Sequence, residues 1–446
     1  MSFLQEYADY CTQHGVPDRL ELLLCDINAV MRGKWLPGDQ AGKLPSGDAR
    51  LPMSTYAPNI IGYEVEGTGL GIEVGDPDGY MVPIPGTLRP IPWLRGNIAQ
   101  VLVELEDEDE KISDLSARQH LARVLERFAD KGLKPVIATE LEFYVIRQRE
   151  RSEDPPTAPV RTPRAQNYDM ELLHRLEPIL TDILDACARQ GLPTDTLTAE
   201  YGPGQFEVNF HHSDDVLAVA DMTLMFRRLV RGVVGNHGLE ATFMAKPYSE
   251  YSGNGMHVHV SLLDMDGNNV FSGTEEDLAP MLQYAVAGVL ETMPDMQAIF
   301  APHLNSMRRF GPASHAPSAP EWGFDHRGAA VRIPEMTGMG ARLEHRICGA
   351  DVNPYLALAA ILGGVLYGLE HKPDLPLPMD AEDAEPAERL STDWQGIVER
   401  FAESEFAAEI FGEEYRHIYA EVRRDEIATL SSIISPIEYR YYLSRF

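Results

Sequence analysis

The sequence predicts an α+β protein with a small mixed N-terminal domain and a larger, sheet-based second domain. Short strand-like segments lie among Gly- and Pro-rich turns up to about residue 108, and helical and strand-like patterns alternate after it. The acidic run 106–110 separates the two regions, so we expect domains over residues 1–110 and 111–446. With 446 residues, the chain can bury a large core without a disulfide or metal.

The local patterns predict the elements in chain order. We expect strands over 22–27 and 99–105, a helix over 119–131, a strand over 136–146, an exposed loop over about 150–166, a helix over 170–190, a strand over 205–210, a helix over 216–237, a strand over 256–260, a helix over 278–293, a strand over 342–347, and an acidic, then helical piece from about 377. The longest apolar run, 355–369, follows the helix-start signal Asn353-Pro354. Because it is too short to cross a bilayer comfortably, we predict a buried core helix.

The net charge of −31 restricts the partners of this chain. Such a surface repels phosphate backbones and anionic lipids, so we expect no binding to nucleic acid or membranes, whereas amines and divalent metals would be attracted. The four cysteines show no metal-site or disulfide spacing, and the first residues lack the basic region and apolar run of a signal peptide. We therefore expect a reducing compartment, the cytoplasm.

Four strand-like segments place ionisable groups on one face and apolar groups on the other, because side chains alternate between faces along a strand. The polar faces comprise Glu140 and Glu142 in 136–146; Gln205, Glu207 and Asn209 in 205–210; His257 and His259 in 256–260; and Arg342, Glu344 and Arg346 in 342–347. One such face is typical of a half-exposed strand. Four together, rich in carboxylate, imidazole and guanidinium, indicate a shared site.

These residue types favour metal-assisted chemistry on an anion. Clustered buried carboxylates repel one another unless a cation compensates, and Glu side chains with one imidazole suit Mg²⁺ or Mn²⁺. Divalent metals beside guanidinium groups, which can donate two parallel hydrogen bonds to one anion, are typical of phosphoryl-transfer sites. The sequence has no GxxxxGK[ST] loop, and the glycines of 67–71 lack dinucleotide-loop spacing, so a nucleotide would be bound without either device.

The motifs, taken together and in order, resemble those of the glutamine synthetase family. They are Glu140-x-Glu142; Glu200 with Gly204-Gln205-Phe206-Glu207; Lys246-Pro247; Gly253-Asn254-Gly255-Met256-His257-Val258-His259-Val260-Ser261; Asn305-Ser306-Met307-Arg308-Arg309; Arg327 to Arg332-Ile333-Pro334; and Arg342-Leu343-Glu344-His345-Arg346 through Asn353-Pro354-Tyr355. The resemblance implies an N-terminal β-grasp domain and a catalytic domain whose antiparallel strands form an open barrel. It also implies a homo-oligomer, a dodecamer of two stacked hexameric rings with active sites between adjacent subunits.

The resemblance also implies a role for each motif residue. The first metal would be held by Glu142, Glu200 and Glu207, and the second by Glu140, His257 and Glu344. Glutamate would be held at Gly253, Arg309 and Arg346, and ATP at His259, Ser261, Arg332 and Arg342. Arg327 falls on the position that stabilises the transferring phosphoryl group. The family reaction transfers the γ-phosphoryl of ATP to the glutamate γ-carboxylate, and an amine then attacks the acyl phosphate.

Departures from the family pattern bear on the amine. Pro52 stands where glutamine synthetases have an Asp that faces the ammonium site, and His315 stands where the family has a flap Glu. With these anionic groups absent, ammonia is a doubtful substrate, and His315 or Glu200 becomes the candidate base. Segments 25–34, 200–207 and 243–248 look closer to glutamate–putrescine ligases.

The predicted function is therefore ATP-dependent ligation of glutamate to putrescine or a related primary amine. Three alternatives remain open at this point. They are a γ-glutamyl ligase for methylamine or another monoamine, a glutamine synthetase that uses ammonia, and an inactive homologue kept as a structural or nitrogen-sensing assembly.

Overall fold

The computed structural model describes residues 2–160, 165–311 and 316–446. Within these ranges the chain forms two sheets with helices packed around them, which confirms the α+β class. The strands are β1 (Arg19–Cys25), β2 (Met31–Pro37), β3 (Arg50–Pro52), β4 (Asp78–Pro83), β5 (Arg89–Pro90), β6 (Ile98–Glu106), β7 (Leu133–Arg147), β8 (Thr194–Ala199), β9 (Gln205–Phe210), β10 (Leu239–Thr242), β11 (Met256–Asp264), β12 (Trp322–Phe324), β13 (Val331–Glu335) and β14 (Arg342–His345). The helices are α1 (Phe3–His14), α2 (Ala117–Asp130), α3 (Met170–Arg175), α4 (Glu177–Gln190), α5 (Val216–Asn236), α6 (Pro280–Thr292), α7 (Gln297–Phe300), α8 (Pro354–His371), α9 (Trp394–Glu403), α10 (Glu405–Phe411), α11 (Glu413–Ser431) and α12 (Pro436–Tyr442).

The first sheet has the strand order β2-β1-β6-β4-β3, with β5 also paired to β6. Strands β1 and β6 run parallel, and their neighbours are antiparallel to them. Both central strands are almost continuously buried, as expected where the two faces of a sheet are covered. This mixed sheet fits the β-grasp fold expected of the N-terminal part, whereas the exact domain boundary after residue 110 stays a prediction.

The second sheet is nearly closed and barrel-like, with the strand order β12-β13-β14-β11-β7-β9-β8 and β10 also paired to β7. Its pairs are antiparallel except for the short edge strand β12, which runs parallel to β13 and so departs from the expected antiparallel set. Along β7, Leu141, Phe143 and Val145 are fully buried, whereas Glu140 and Glu142 point to the opposite face. Strand alternation therefore sends the carboxylates to the side away from the apolar core.

Helix α8 lies in the core, as its apolar composition predicts. Fourteen of its eighteen residues are buried. It crosses α6 closely enough that a Cβ added at Gly288 would lie 2.4 Å from Gly368 Cα, so this crossing requires glycine. In the described ranges, no helix combines the length and the apolarity needed to cross a bilayer.

The single helix expected over 170–190 is instead two helices, α3 and α4, which meet at Leu176. Pro178 lies in the first turn of α4. A proline there has no N–H to donate and its ring crowds the preceding turn, so one continuous helix cannot pass through it. The prediction of a continuous helix was wrong at this point.

Candidate active site

The polar face of the second sheet lines a cavity of about 770 Å³. Most of the site residues predicted from the sequence meet there, although they come from segments far apart in the chain. Those lining the cavity are Glu140, Glu142, Glu200, Glu207, Gly253, His257, Arg309, Arg327, Arg332, Glu344 and Arg346.

Strand register brings the ionisable groups together in pairs. Glu142 on β7 lies directly opposite Glu207 on β9. Glu140 lies opposite His257 on β11. Directly opposite residues on neighbouring strands have Cβ atoms about 5 Å apart, so each pair can share one ligand.

Glu140 is held between two imidazoles. Its Oε2 lies 3.0 Å from Nδ1 of His257, and its Oε1 lies 2.9 Å from Nε2 of His259. Burial opposes ionisation of Glu140, but the hydrogen bonds and charges of the two imidazoles outweigh it and hold the pKa of Glu140 well below its usual value. Burial and the nearby guanidinium of Arg346 lower the pKa of His257.

For three other carboxylates, the nearby arginines do not outweigh the effect of burial. Burial and the charge of Glu200 raise the pKa of Glu142 to about 8. Burial raises the pKa of Glu207 well above its usual value, with further contributions from Glu140, Glu142 and Glu200. Burial likewise raises the pKa of Glu200. None of Glu142, Glu200 and Glu207 forms a salt bridge with a Lys or Arg among the described residues.

Glu344 lies on the other side of His257 and is paired with arginines. Arg346 donates to its Oε1, and Nη1 of Arg332 donates to its Oε2 at 2.8 Å. Burial disfavours the charged form, yet Arg346 and His257 hold the pKa of Glu344 below its usual value. This carboxylate is thus ionised and fixed in orientation.

The donor set fits divalent metal ions. Ligand atoms of Glu140, Glu207 and His257 lie within 4.8 Å of one another, and so do those of Glu140, His259 and Glu344. Carboxylate oxygens with one imidazole match the preference of Mg²⁺ and Mn²⁺. The raised pKa values of Glu142 and Glu207 show that the nearby arginines do not offset the burial and mutual repulsion of these carboxyl groups, which a bound divalent cation would do.

Arg309 lies in the wall of the cavity beside Gly253. Its Nη1 donates to the carbonyl of Ile347 at 2.7 Å, and its buried Nε has no partner among the described residues. A Cβ added at Gly253 would lie 2.5 Å from the carbonyl oxygen of Ala245 and 2.8 Å from Arg309 Cγ. Only glycine fits at this position, so the backbone of Gly253 remains close to the guanidinium.

Some predicted site residues are not brought to the cavity. His259 does not line the cavity but lies next to two residues that do, Glu140 and Glu344. Arg342 lies beyond it, and its Nε donates to Nδ1 of His259 at 3.2 Å. Ser261 is farther along β11, and its hydroxyl donates to the carbonyl of Ala341 at 2.9 Å. His315 lies outside the described residues. Pro52 lies in β3, opposite Asp78, and does not line this cavity.

Gln205, beside the cavity, and Tyr168, which lines it, were given no individual role from the sequence. Gln205 is buried, and its Nε2 donates to the carbonyl of Gly253 at 2.9 Å and to Oδ1 of Asn254 at 3.1 Å. Tyr168 has a φ of 62°, a rare conformation for a bulky residue, and its hydroxyl accepts from Nη1 of Arg327 at 3.4 Å. The polar face of β9 placed Gln205 in the predicted site without giving it a role, whereas no local pattern marks Tyr168.

The chain is similar to known proteins over nearly its whole length. The family described as "Glutamine synthetase, catalytic domain" matches residues 114–442. A gamma-glutamylputrescine synthetase, PuuA, of Escherichia coli (strain K12) is 37% identical over 99% of this chain and 95% of the relative. A glutamate–isopropylamine ligase of a Pseudomonas species is 31% identical over 98% and 96%. A gamma-glutamylethanolamide synthetase, GlnA4, of Streptomyces coelicolor is 34% identical over 81% and 78%.

Solved structures show the same architecture. The structure of GmaS without ligand superposes with a TM-score of 0.85 at 26% identity, covering 98% of this chain and 99% of that one. A complex of GmaS with ADP gives a TM-score of 0.83 with the same identity and coverage. The likeness therefore extends through both sheets.

Proposed function

The chain belongs to the glutamine synthetase family, and on that basis we propose that it is an ATP-dependent ligase that joins the γ-carboxylate of glutamate to a primary amine. Putrescine or a related alkylamine is the proposed amine, and γ-glutamyl phosphate is the intermediate. Three similar proteins are named for amide products or amine substrates of this kind, with putrescine, isopropylamine and ethanolamine as their amines. Their agreement supports amine ligation as the activity of this chain.

The observation that carries the proposal is the single cavity in which the carboxylate cluster meets four arginines. Glu142, Glu200 and Glu207 would hold one divalent ion, and Glu140, His257 and Glu344 a second. When bound, these cations neutralise charge on the phosphate oxygens during transfer. The arrangement combines phosphoryl transfer with recognition of an anionic substrate, which a ligase acting on ATP and glutamate needs.

The arginines divide between the two substrates. Arg309 and Arg346, with the backbone at Gly253, would grip glutamate, because a guanidinium can donate two parallel hydrogen bonds to a carboxylate. Arg332 would contact the nucleotide, with His259, Ser261 and Arg342 farther along β11 and β14. Arg327 is exposed, lies beside Tyr168 in the cavity wall, and would stabilise the phosphoryl group during its transfer.

The reaction has two steps. A γ-carboxylate oxygen of glutamate attacks the γ-phosphorus of ATP and ADP leaves, which gives the acyl phosphate. The amine nitrogen then attacks the γ-carbonyl carbon, phosphate leaves, and the amine transfers its proton to a base. Glu200 and His315 are the candidate bases, because general-base catalysis requires an acceptor within reach of the attacking nitrogen.

The wall beside Glu200 supports an amine that is larger than ammonia. Leu197, Tyr168, Tyr201 and Pro317 line the cavity there. Each buried methylene contributes about 0.8 kcal/mol, so four methylenes contribute up to roughly 3 kcal/mol before ordering costs. Apolar and aromatic walls therefore favour an alkyl chain.

Assembly and location form part of the same proposal. The C-terminal segment exposes a cluster of large apolar side chains, which would be costly in water unless another subunit covers them: Ile433, Ile434, Ile437, Tyr439, Tyr441, Tyr442, Leu443 and Phe446. This supports a homo-oligomer, with the dodecamer of two hexameric rings as the proposed form. The four cysteines are free, which agrees with a cytoplasmic location.

The test is a panel of amines assayed with glutamate, ATP and Mg²⁺. We expect kcat/KM for at least one primary alkylamine, with putrescine first, to exceed that for ammonium by tenfold or more. Phosphate release measures the rate, and product mass identifies the amide. Methylamine, isopropylamine and ethanolamine separate a monoamine ligase from a diamine ligase. Ammonium as the best substrate would establish a glutamine synthetase instead, and no turnover with any amine would indicate an inactive homologue.

A further inference from the structure

Tyr144 lies on the same face of β7 as Glu142, because side chains alternate along a strand, yet it does not line the candidate active site. Its side chain is fully buried. The strand registers place it opposite Gln205, the first residue of β9, and opposite Thr242, the last residue of β10. Tyr144 therefore lies next to two loops, one between β8 and β9 and the other between β10 and β11.

The hydroxyl of Tyr144 contacts the loop between β10 and β11. It donates to the carbonyl of Ser252 at 2.8 Å. Ser252 and the following Gly253 both line the cavity. Earlier in the same loop, Tyr248 packs against the ring of Tyr144, with 5.1 Å between the ring centroids. Tyr144 thus holds this loop at two points, one of them directly before Gly253.

The same hydroxyl also lies against the loop between β8 and β9. A Cβ added at Gly202 would lie 1.7 Å from the hydroxyl oxygen of Tyr144 and 2.4 Å from its Cζ. Because no carbon atom fits so close to another heavy atom, only glycine is compatible with the phenol at this position. Glu200 and Tyr201, the two residues before Gly202, line the cavity. One phenol therefore separates the backbone of the Glu200 loop from that of the Gly253 loop.

The spacing of these two loops matters for the proposed reaction. Glu200 is a proposed metal ligand and a candidate base, and Gly253 belongs to the proposed glutamate site. Reacting groups must be held in near-attack geometry, and a displacement of about 1 Å can lower a rate about a hundredfold. A buried contact that fixes both loops therefore affects substrate binding and chemistry, although it touches no substrate.

We propose that Tyr144 is a positioning residue for the ligation reaction, in which its phenol sets the spacing between the Glu200 loop and the Gly253 loop. It acts through the carbonyl of Ser252 on one side and the backbone of Gly202 on the other. This inference rests on the proposed function, because it assumes that glutamate binds beside Gly253.

The first test removes the hydroxyl and keeps the ring, as in Tyr144→Phe. Isothermal titration of the full chain with Mg²⁺ and saturating ADP measures the Kd for glutamate, which we expect to rise at least fivefold. The Kd for ADP should change less than twofold. Tyr419→Phe is the matched control, because the buried Tyr419 also donates to a backbone carbonyl, that of Ala298, at 2.8 Å and does not line the cavity. It should lower the Tm without changing either Kd.

The second test examines the contact with Gly202 through a double-mutant cycle. In the unmodified chain, the methyl group of Gly202→Ala meets the phenol and should lower kcat/KM for glutamate at least tenfold. In Tyr144→Leu, which lacks the hydroxyl and the distal ring atoms, the same change should lower it less than threefold further, since substitutions at residues in contact are not additive. Gly235→Ala, on α5 where an added Cβ would meet no atom within 4 Å, is the control and should leave kcat/KM unchanged.

The outcomes separate this inference from the proposed function. A chain that binds ADP but no glutamate would overturn both. Glutamate binding with the same Kd in Tyr144→Phe as in the unmodified chain would overturn the positioning role and leave the proposed function intact. Equal effects of Gly202→Ala in the two backgrounds would show that the phenol does not set the spacing of the loops, and would also overturn that role.

Discussion

Glu142 and Glu207 lie directly opposite each other on adjacent antiparallel strands, and burial raises the pKa of both carboxyl groups. Two buried acids in register repel when ionised, so in the metal-free chain one or both hold a proton at neutral pH. A divalent cation between them would displace protons and reverse the repulsion. The pair is therefore unfavourable in the metal-free fold, and under the proposed function it would become favourable once a metal is bound.

The first prediction follows from that cost. Glu142→Gln should reduce the rate of phosphate release about a hundredfold or more, because a metal ligand is lost. In chelator, however, its Tm should equal or exceed that of the unmodified chain, because the amide keeps an acceptor for the N–H of Gly255 and cannot ionise beside Glu207. Activity assays and calorimetry in chelator measure the two effects.

A matched control is Glu240→Gln, a half-buried carboxylate on β10 of the same sheet that pairs with Arg149, which should leave activity unchanged. Adding Mg²⁺ in excess of chelator should raise the Tm of the unmodified chain more than that of Glu142→Gln. A folded Glu142→Gln protein with full activity would rule out the metal assignment.

The second prediction concerns glutamate. Arg309 is buried and anchored to the carbonyl of Ile347, so its guanidinium is held in one orientation. Arg309→Lys removes the forked donor and should raise the KM for glutamate at least tenfold while changing the KM for ATP less than threefold. Arg308→Lys, the exposed neighbour, is the control and should change neither KM. Equal increases in both KM values would contradict the assignment.

The third prediction identifies Gln205 as a positioning residue. Its amide ties the carbonyl of Gly253 and the side chain of Asn254 to the start of β9. Gln205→Met keeps the length of the side chain but removes both donations, which should destabilise the fold by about 1–3 kcal/mol. If Gln205 serves only the fold, this loss of stability is the only effect. A positioning role also raises the KM for glutamate several-fold without a matching change for ATP.

Gln283→Met provides the comparison, since Gln283 also donates to a backbone carbonyl, that of Leu278, away from the cavity. It should lower stability without moving the KM for glutamate. If both variants leave that KM unchanged, Gln205 serves the fold alone.

Local periodicity predicted the elements that carry the site. Alternation along residues 136–146 was enough to place Glu140 and Glu142 opposite Leu141 and Phe143, because the period of a strand is set by its own backbone. The registers that oppose Glu142 to Glu207 and Glu140 to His257 could not be derived in this way. Strand pairing depends on residues far apart in the sequence. The four polar faces therefore indicated a shared site, but only the resemblance to a family divided its residues into ligand sets.

The limits of motif reasoning appear at individual side chains. The motif assigns Ser261 to the nucleotide, which stays a prediction, but it does not indicate that the hydroxyl donates to a carbonyl beside the start of β14. The break between α3 and α4 could have been predicted from Pro178, whereas the contact between Tyr168 and Arg327 depends on a positive φ that the sequence does not signal. Roles that depend on one hydrogen bond require the folded chain.

The fourth prediction concerns stability and pH. His120 on α2 packs against the rings of Phe411 and Tyr415, and Arg123 donates to its Nδ1 at 2.5 Å. Burial, aided by the charge of Arg123 and only partly opposed by Asp114, lowers the pKa of His120 from 6.5 to about 3. Between these two values the unfolded chain binds a proton that the folded chain does not, so the free energy of unfolding falls as pH decreases through this window, by up to about 1.4 kcal/mol per pH unit.

Replacing the imidazole with a group that does not titrate, as in His120→Phe, should remove this contribution. Denaturant unfolding at pH 7, 6 and 5 should therefore show the unmodified chain losing stability relative to His120→Phe as the pH falls, whatever the offset between them at pH 7. His211→Phe, at an exposed position, should follow the unmodified chain at every pH. A constant difference between His120→Phe and the unmodified chain across this range would show that His120 is not held neutral in the fold.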